Sequence, residues 1–373
     1  MVLTKCLLPF ALSLPLLLAS QVIEPAQQLH TTNALSSHTS SLQSFFILDK
    51  GCTCKQPPGP AILYAGTLPT IRNASTSSSD IPMTNLSLGV TGPPWTWAPY
   101  ANLESRSMAL DRSAQKVYIS MSYWNSNEGD VSAIFAFNYD SSNKNKIVDR
   151  AGSGAANGGI AVSQSQKKLY FTEGDAKRYP QGTGTQMKRA DLDGSNVETF
   201  VFPEQMACRL QNSTEAWCPV VEDALDRVVL DEEAGYVYWI SYWKYIWRVK
   251  MDIPKGYTWE NRTDIQIVYE TQAMDLQVAG GYLYWIDQGG KAVWRLRVED
   301  IGKGGSVPEA IMTGVQLNWH ASIAADVEAG KLWVAAASGS AKMYSADLDG
   351  TNLANFTLSN GIYVNDVAGF GIY

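Results

Sequence analysis

Residues 227–252 read RVVLDEEAGYVYWISYWKYIWRVKMD, and the spacing of their apolar side chains decides the fold. From Tyr236 to Ser241 the side chains alternate with period two, so Val237 and Trp239 share one face while Tyr238 and Ile240 share the other. The alternation breaks at SYWKY, residues 241–245. It then resumes with Tyr245, Trp247, Val249 and Met251 set against Ile246, Arg248 and Lys250. A period of two on both sides of a short polar and aromatic turn predicts a β-hairpin.

The hairpin recurs along the chain. SMALDRSAQKVYISM (107–121), GIAVSQSQKKLYFTE (159–173), DLQVAGGYLYWID (275–287) and SIAADVEAGKLWVAA (322–336) repeat the pattern of a small apolar strand, a turn, and an aromatic strand. A third strand ending near Asp follows, as in MKRADLDGSN (187–196), VWRLRVED (293–300) and MYSADLDGTN (343–352). Tyr118, Tyr170, Tyr238, Tyr284 and Trp333 occupy one place in this pattern. Their separation of roughly 45 to 70 residues is close to the length of a four-stranded propeller blade. Five blades are visible, and the two chain ends supply a sixth. NDVAGFGIY (365–373) provides its inner strand, while SFFILDKG (44–51) and PAILYAG (60–66) provide the second and third. The expectation is an all-β, six-bladed propeller over residues 43–373, closed by pairing of its N- and C-terminal strands.

The copies KKLYFTE with RADLDGSN and GKLWVAA with SADLDGTN resemble six-bladed propellers with YWTD-type repeats, over nearly all of 43–373. At the YWTD place the chain has YISM, YFTE, YWIS, YWID and WVAA. The buried role of the large rings follows from the blade geometry: Tyr238 and Trp239 are expected to pack between neighbouring blades, where they fill a radial wedge.

Residues 1–20 have a lysine at Lys5, an apolar run from Cys6 to Leu18 and small residues at Ala19 and Ser20. This is the pattern of a secretory signal peptide. Residues 21–42 are polar, rich in Ser and Thr and without a period, and are expected to form a flexible leader. Secretion fits the even set of cysteines left once Cys6 is removed. Cys52, Cys54, Cys208 and Cys218 allow three pairings. It also fits the glycosylation sequons at Asn73, Asn85, Asn212, Asn261 and Asn355. The net charge is −7 and the basic residues are scattered, so neither nucleic acid nor an anionic membrane is an expected partner. No later segment approaches the length of a membrane span, and no oligomeric interface is marked in the sequence.

In a propeller, the loops between second and third strands share one face with the connections between blades. That face is expected to be rich in rings, among them Trp97, Tyr123 and Trp124, then Tyr242 and Trp243, then Trp319 and Tyr363. An exposed patch of that kind marks a ligand surface. Polar residues at the inner-strand starts, Ser107, Arg227, Asp275, Ser322 and Asp366, are expected to ring the channel entrance beside His320. Carboxylates so placed are as consistent with an ordinary acidic channel lining as with a divalent ion, and no metal or cofactor is expected. His30 and His38 fall in the leader, so a Ser-His-Asp triad would have to use His320. GSGAANGG (152–159) has no strand-to-helix context and reads as an interblade loop.

A more specific resemblance is to the secreted fungal hetero-Diels-Alderases of tropolonic sesquiterpenoid biosynthesis. It is carried by the signal peptide, the degenerate YWTD-like blades, the sequons and the aromatic rim. It implies a tropolone quinone methide and a humulene-type sesquiterpene as small apolar substrates, held by the seven rim residues named above. Arg227, His320 or Tyr363 would donate hydrogen bonds to the tropolone oxygens, and Asp275 or Asp366 would assist loss of water from a hydroxymethyl precursor. The alternatives are a non-catalytic secreted propeller that binds a protein or glycan, and a metal-dependent lactone hydrolase.

Overall fold

The computed structural model describes residues 43–49, 62–68, 80–86, 104–125, 129–150, 158–174, 185–211, 225–241, 244–287, 292–315, 317, 321–336, 342–358 and 367–373. These form six antiparallel sheets arranged as blades. Blade 1 runs from inner to outer strand as Val367–Ile372, Ser44–Asp49, Ile62–Thr67 and Met83–Leu86. Blade 2 is Glu104–Asp111, Lys116–Asn125, Gly129–Asn138 and Asn145–Arg150, and blade 3 is Ile160–Ser163, Lys168–Gly174, Thr185–Asp191 and Glu198–Val201. Blade 4 is Leu225–Asp231, Tyr236–Ser241, Tyr245–Lys250 and Gln266–Glu270. Blade 5 is Ala273–Ala279, Tyr282–Asp287, Ala292–Arg297 and Glu309–Met312. Blade 6 is Ala321–Asp326, Lys331–Ala336, Lys342–Asp347 and Ala354–Leu358. Each inner strand neighbours the next around the ring.

The ring closes as the repeat pattern implies. The C-terminal strand pairs with the N-terminal one in the register Phe45↔Ile372 and Ile47↔Phe370, and Tyr373 stacks on Phe46 at 4.5 Å. A second clasp was not foreseen: Asp80–Ile81 pairs in parallel with the outer strand of blade 6, so the ring is fastened at its inner and its outer edge.

Among the described residues the hydrophobic core forms six wedges, one per blade interface, and a small separate cluster of Ala207 and Cys208 on helix Pro203–Leu210. Trp239 and Trp247 face blade 3 and pack with Tyr170, while Tyr238, Ile240 and Trp285 fill the wedge between blades 4 and 5. The two faces of the opening hairpin therefore go to two different wedges, as its period of two requires. Trp239 and Trp247 are fully buried, stacked at an interplanar angle of 6°, and the Trp247 indole donates to Ser241 Oγ at 2.6 Å. Burying one such ring contributes roughly 2 to 3 kcal/mol.

Adjacent blades are also keyed by the Leu-Asp-Gly turns. In 191–196, Asp193 accepts from the Ser195 amide and hydroxyl, and Asp191 accepts from Asn196. The same bonds recur at Asp349, Thr351, Asp347 and Asn352. Gly194 and Gly350 have φ of +84° and +85°, and each faces a backbone carbonyl of the preceding blade's outer strand. A Cβ at Gly194 would lie 1.9 Å from the Ile147 oxygen, and one at Gly350 would lie 2.0 Å from that of Ile311. Only glycine fits both the dihedral and the gap.

One element has no counterpart in the strand pattern. Helix Pro203–Leu210 leads from blade 3 towards blade 4, with proline at its first turn. Gln205 fixes it, accepting from the Phe202 amide and donating to the Trp259 and Glu260 carbonyls. Cys208 is buried on this helix, while Cys52, Cys54 and Cys218 lie outside the described residues. Among the described residues no helix is long and apolar enough to cross a membrane.

Candidate functional site

The polar ring expected at the inner-strand starts is partly assembled. The inner strands of blades 4 and 5 each carry a β-bulge near their start, between Asp226 and Val228 and between Ala273 and Asp275. A bulge re-aims one side chain out of the pleat. In blade 4 the re-aimed residue is Arg227, whose φ is +34° and whose amide donates to Asp226 Oδ1 at 2.8 Å. A non-glycine residue held at positive φ stores of order 1 kcal/mol, and such strain concentrates at functional sites.

Blade 3 holds the bulge from behind. Thr172 Oγ1 accepts from the amides of both Gly158 and Gly159 at 2.9 Å. A Cβ on Gly158 would lie 2.6 Å from the Leu225 oxygen, and one on Gly159 the same distance from the Val228 nitrogen. The last two glycines of the 152–159 loop thus press against the backbone that presents Arg227. Residues 152–157 lie outside the described residues.

The Arg227 side chain crosses to blade 5. Its Nε donates to the Met274 carbonyl at 3.3 Å and lies 3.5 Å from Asp275 Oδ1. Asp275 is buried and fully engaged. Oδ1 also accepts from the Leu276 amide at 2.9 Å, and Oδ2 accepts from Ser322 Oγ at 2.5 Å and the Ile323 amide at 2.9 Å. Arg227, Asp275 and Ser322 therefore form one chain of contacts through blades 4, 5 and 6. Burial pushes the Asp275 carboxyl above its ordinary pKa, and the Arg227 charge and the hydrogen bonds from Ser322, Ile323 and Leu276 offset this only in part.

The Asp275 oxygens accept from protein donors on blades 5 and 6 and lie beside Arg227, so geometrically Asp275 braces that side chain. Ser107 is buried, and its carbonyl accepts from Ser120; it does not join the chain of contacts. Tyr123 and Trp124 lie among the last, turn-side residues of the second strand of blade 2, paired with Val131 and Asp130 and followed by Asn125. Trp97, Tyr242, Trp243 and Trp319 lie outside the described residues, as do Tyr363, His320 and Asp366. Of the sequons, Asn85 and Asn355 are exposed on outer strands and Asn261 is exposed on a loop, whereas Asn73 and Asn212 fall outside the described residues. Among the described residues no three His, Cys, Asp or Glu side chains are grouped to hold a metal.

A feature that the sequence did not suggest lies at the other end of the channel. A cleft of about 1080 Å³ opens between blades 4 and 5, bordered by Glu233, Tyr236 and Arg248 on one side and by Gly281, Tyr282 and Arg297 on the other. Arg248 belongs to a cross-strand motif that the sequence reading passed over, in which the blade tyrosine faces an arginine on the third strand. The pairs are Tyr170↔Arg189, Tyr238↔Arg248 and Tyr284↔Arg295. The offset from tyrosine to arginine is not constant along the chain, and Tyr118 and Trp333 face Ala136 and Ser345 instead, so only the cross-strand register reveals the pairing.

No protein-family model matches the chain, and no curated protein matches it significantly. The fold has solved counterparts. The chain is similar to TolB from Acinetobacter baumannii, at 10% identity and a TM-score of 0.53, over 88% of this chain and 66% of that one. It therefore spans slightly less than two thirds of that protein. It is also similar to a protein of unknown function from Bacteroides caccae, at 10% identity and a TM-score of 0.50, over 89% and 99% of the two chains. A periplasmic gluconolactonase from Pseudomonas aeruginosa is more distant, at 11% identity and a TM-score of 0.43, over 84% and 82%. The first two likenesses show the propeller fold and nothing finer.

Proposed function

We propose that the channel end carrying Arg227 is the catalytic site of a hetero-Diels-Alderase that joins a tropolone quinone methide to a humulene-type sesquiterpene. The observation that carries this reading is the Arg227 guanidinium, re-aimed by a bulge and braced by buried Asp275 beside the connection that enters blade 4. A cycloaddition needs no nucleophile. It needs two partners held face to face, which can supply several kcal/mol of the barrier. It also gains from a fixed donor where charge develops on oxygen. Arg227 supplies that donor without reorganisation, because its position is set before any ligand arrives. The rim aromatics named from the sequence supply the apolar surface.

The experiment is incubation of the purified protein with a hydroxymethyl tropolone and humulene, followed by chiral chromatography against a protein-free control. Faster formation of one enantiomer supports the reading. A racemic product at the background rate overturns it for these substrates.

A second reading, lactone hydrolysis, draws on a different observation: Ser322 Oγ lies 2.5 Å from a carboxyl of raised pKa, beside an arginine able to polarise a carbonyl. Ser322→Ala tests this reading, since hydrolysis of this kind requires the Ser322 hydroxyl. The metal-dependent form of this reading also predicts loss of activity with a chelator, to which the cycloaddition is indifferent. A protein inert in both assays is best read as a binding module.

A further inference from the structure

We propose that the cleft between blades 4 and 5, at the end of the channel opposite Arg227, binds a small organic carboxylate that also carries hydroxyl or ammonium groups, with Arg248 as its anchor. Two separate departures from the repeat converge there. The first opens the space. In blades 2, 3, 4 and 6 four residues join the inner strand to the second, namely 112–115, 164–167, 232–235 and 327–330, whereas blade 5 uses only Gly280 and Gly281. Asp111, Asp231 and Asp326 close the longer turns of blades 2, 4 and 6 by accepting an amide three residues on, and Ala279 stands at that place in blade 5. With φ of +55° and +78°, Gly280 and Gly281 make the tight turn that left-handed residues allow. A Cβ built on Gly281 would meet nothing within 4 Å, so the floor of the cleft is bare backbone.

The second departure leaves a charge. In blade 3 the third-strand arginine pairs with a carboxylate at its register position on the outer strand, Arg189 with Glu198, and in blade 5 Arg295 pairs with Glu309 in the same way. In blade 4 that position holds Gln266, which accepts from Arg248 Nε at 3.0 Å. Arg248 also contacts the Ile301 carbonyl, 3.0 Å from Nη2, and the Tyr236 ring, 4.6 Å from the guanidinium carbon, and it lies close enough to the Tyr238 hydroxyl to act on its pKa. Arg248 is only 7% exposed, and among the described residues no carboxylate lies within ion-pair distance of it. A buried cation without a counter-ion is costly, and a carboxylate entering the cleft compensates it with charge-assisted hydrogen bonds.

The rest of the lining limits the ligand. Glu233 is exposed, and Glu232 accepts from Ser163 and Ser165 through one oxygen. Burial would raise the Glu232 pKa, but those hydrogen bonds outweigh it and hold the group below its ordinary value, so it is charged at neutral pH. Arg297 at the mouth is already paired with Glu299 and bonded to the Tyr282 hydroxyl. The acidic residues of the lining, Asp231, Glu232, Glu233 and Glu299, repel a dianion and accept from hydroxyl or ammonium groups. A polyhydroxy acid and a peptide C-terminus share this chemistry. The site is independent of the function proposed for the Arg227 end.

The test is calorimetric titration of the whole protein with gluconate against neutral sorbitol, and with triglycine against triglycinamide. The expected result is saturable binding of at least one acid and not of its neutral counterpart, and the pair that binds identifies the source. Gln266→Glu restores the arrangement of blades 3 and 5, so the fold is kept while the anchor is neutralised. It should weaken binding at least about tenfold, as should Arg248→Gln, and Gly281→Asn should weaken it by filling the floor. Absence of binding by both acids up to about 10 mM, or unchanged affinity in Gln266→Glu, overturns the proposal.

Discussion

Replacing Gly350 by alanine should destabilise the protein by about 3 to 4 kcal/mol, in two separable parts. The first is conformational: at φ +85° an L-residue pays roughly 1 to 2 kcal/mol. The second is steric. The new Cβ would sit 2.0 Å from the Ile311 oxygen and 2.6 Å from its carbonyl carbon, and neither atom can move aside by a rotamer change. Overpacking of this kind costs roughly 1 to 3 kcal/mol. Gly330→Ala isolates the first part, because φ there is +65° and a Cβ meets nothing within 4 Å. Alanine restricts the unfolded chain equally in both variants, so that contribution cancels. Urea unfolding followed by tryptophan fluorescence should give Gly330→Ala a loss of about 1 kcal/mol and Gly350→Ala at least about 2 kcal/mol more. Gly194→Ala should behave like Gly350→Ala. Equal losses within about 0.5 kcal/mol at Gly350 and Gly330 would refute the idea that the Leu-Asp-Gly turns key each blade to the one before.

The remaining expectations concern the site and the wedges. Arg227→Lys keeps a positive charge opposite Asp275 but loses the planar fork, so turnover in the cycloaddition assay should fall about ten- to a hundredfold; unchanged turnover would remove Arg227 from the proposed chemistry. Because burial raises the Asp275 pKa in the folded protein, the stability it contributes is fully present below the unfolded aspartate value and is lost as pH rises through the raised one. Asp275→Asn should therefore flatten the stability profile in the window just above pH ~4, and an unchanged slope there would contradict the burial argument. Asp347 and Asp191 are shifted the other way, chiefly by hydrogen bonds from Lys331 and Lys168, so the wild-type protein and Asp275→Asn should both still lose stability at lower pH. Trp239→Ala should cost about 3 to 5 kcal/mol in urea unfolding, since the ring is fully buried between blades 3 and 4, and a loss under about 1 kcal/mol would mean that the wedge repacks.

The amino-acid sequence determined the blade count, the strand order and the two-faced packing of each aromatic strand. These depend on side-chain period and repeat spacing, which are local and survive without coordinates. It also placed Arg227, Asp275 and Ser322 at matching inner-strand positions, because register within a repeat can be counted. Only the tertiary structure decided what those residues do to one another. The bulges at Arg227 and Met274, the closeness of Gly158 and Gly159 to the blade 4 backbone, and the enclosure of the Asp275 oxygens all arise between blades. The opposite cleft was hidden for the same reason. A short Gly-Gly turn and a glutamine in place of glutamate look like ordinary variation along the chain, and they acquire meaning only when folding sets them against one cavity. The clasp of Asp80–Ile81 on blade 6 joins residues almost 280 positions apart, a pairing that two residues are too few to signal in sequence.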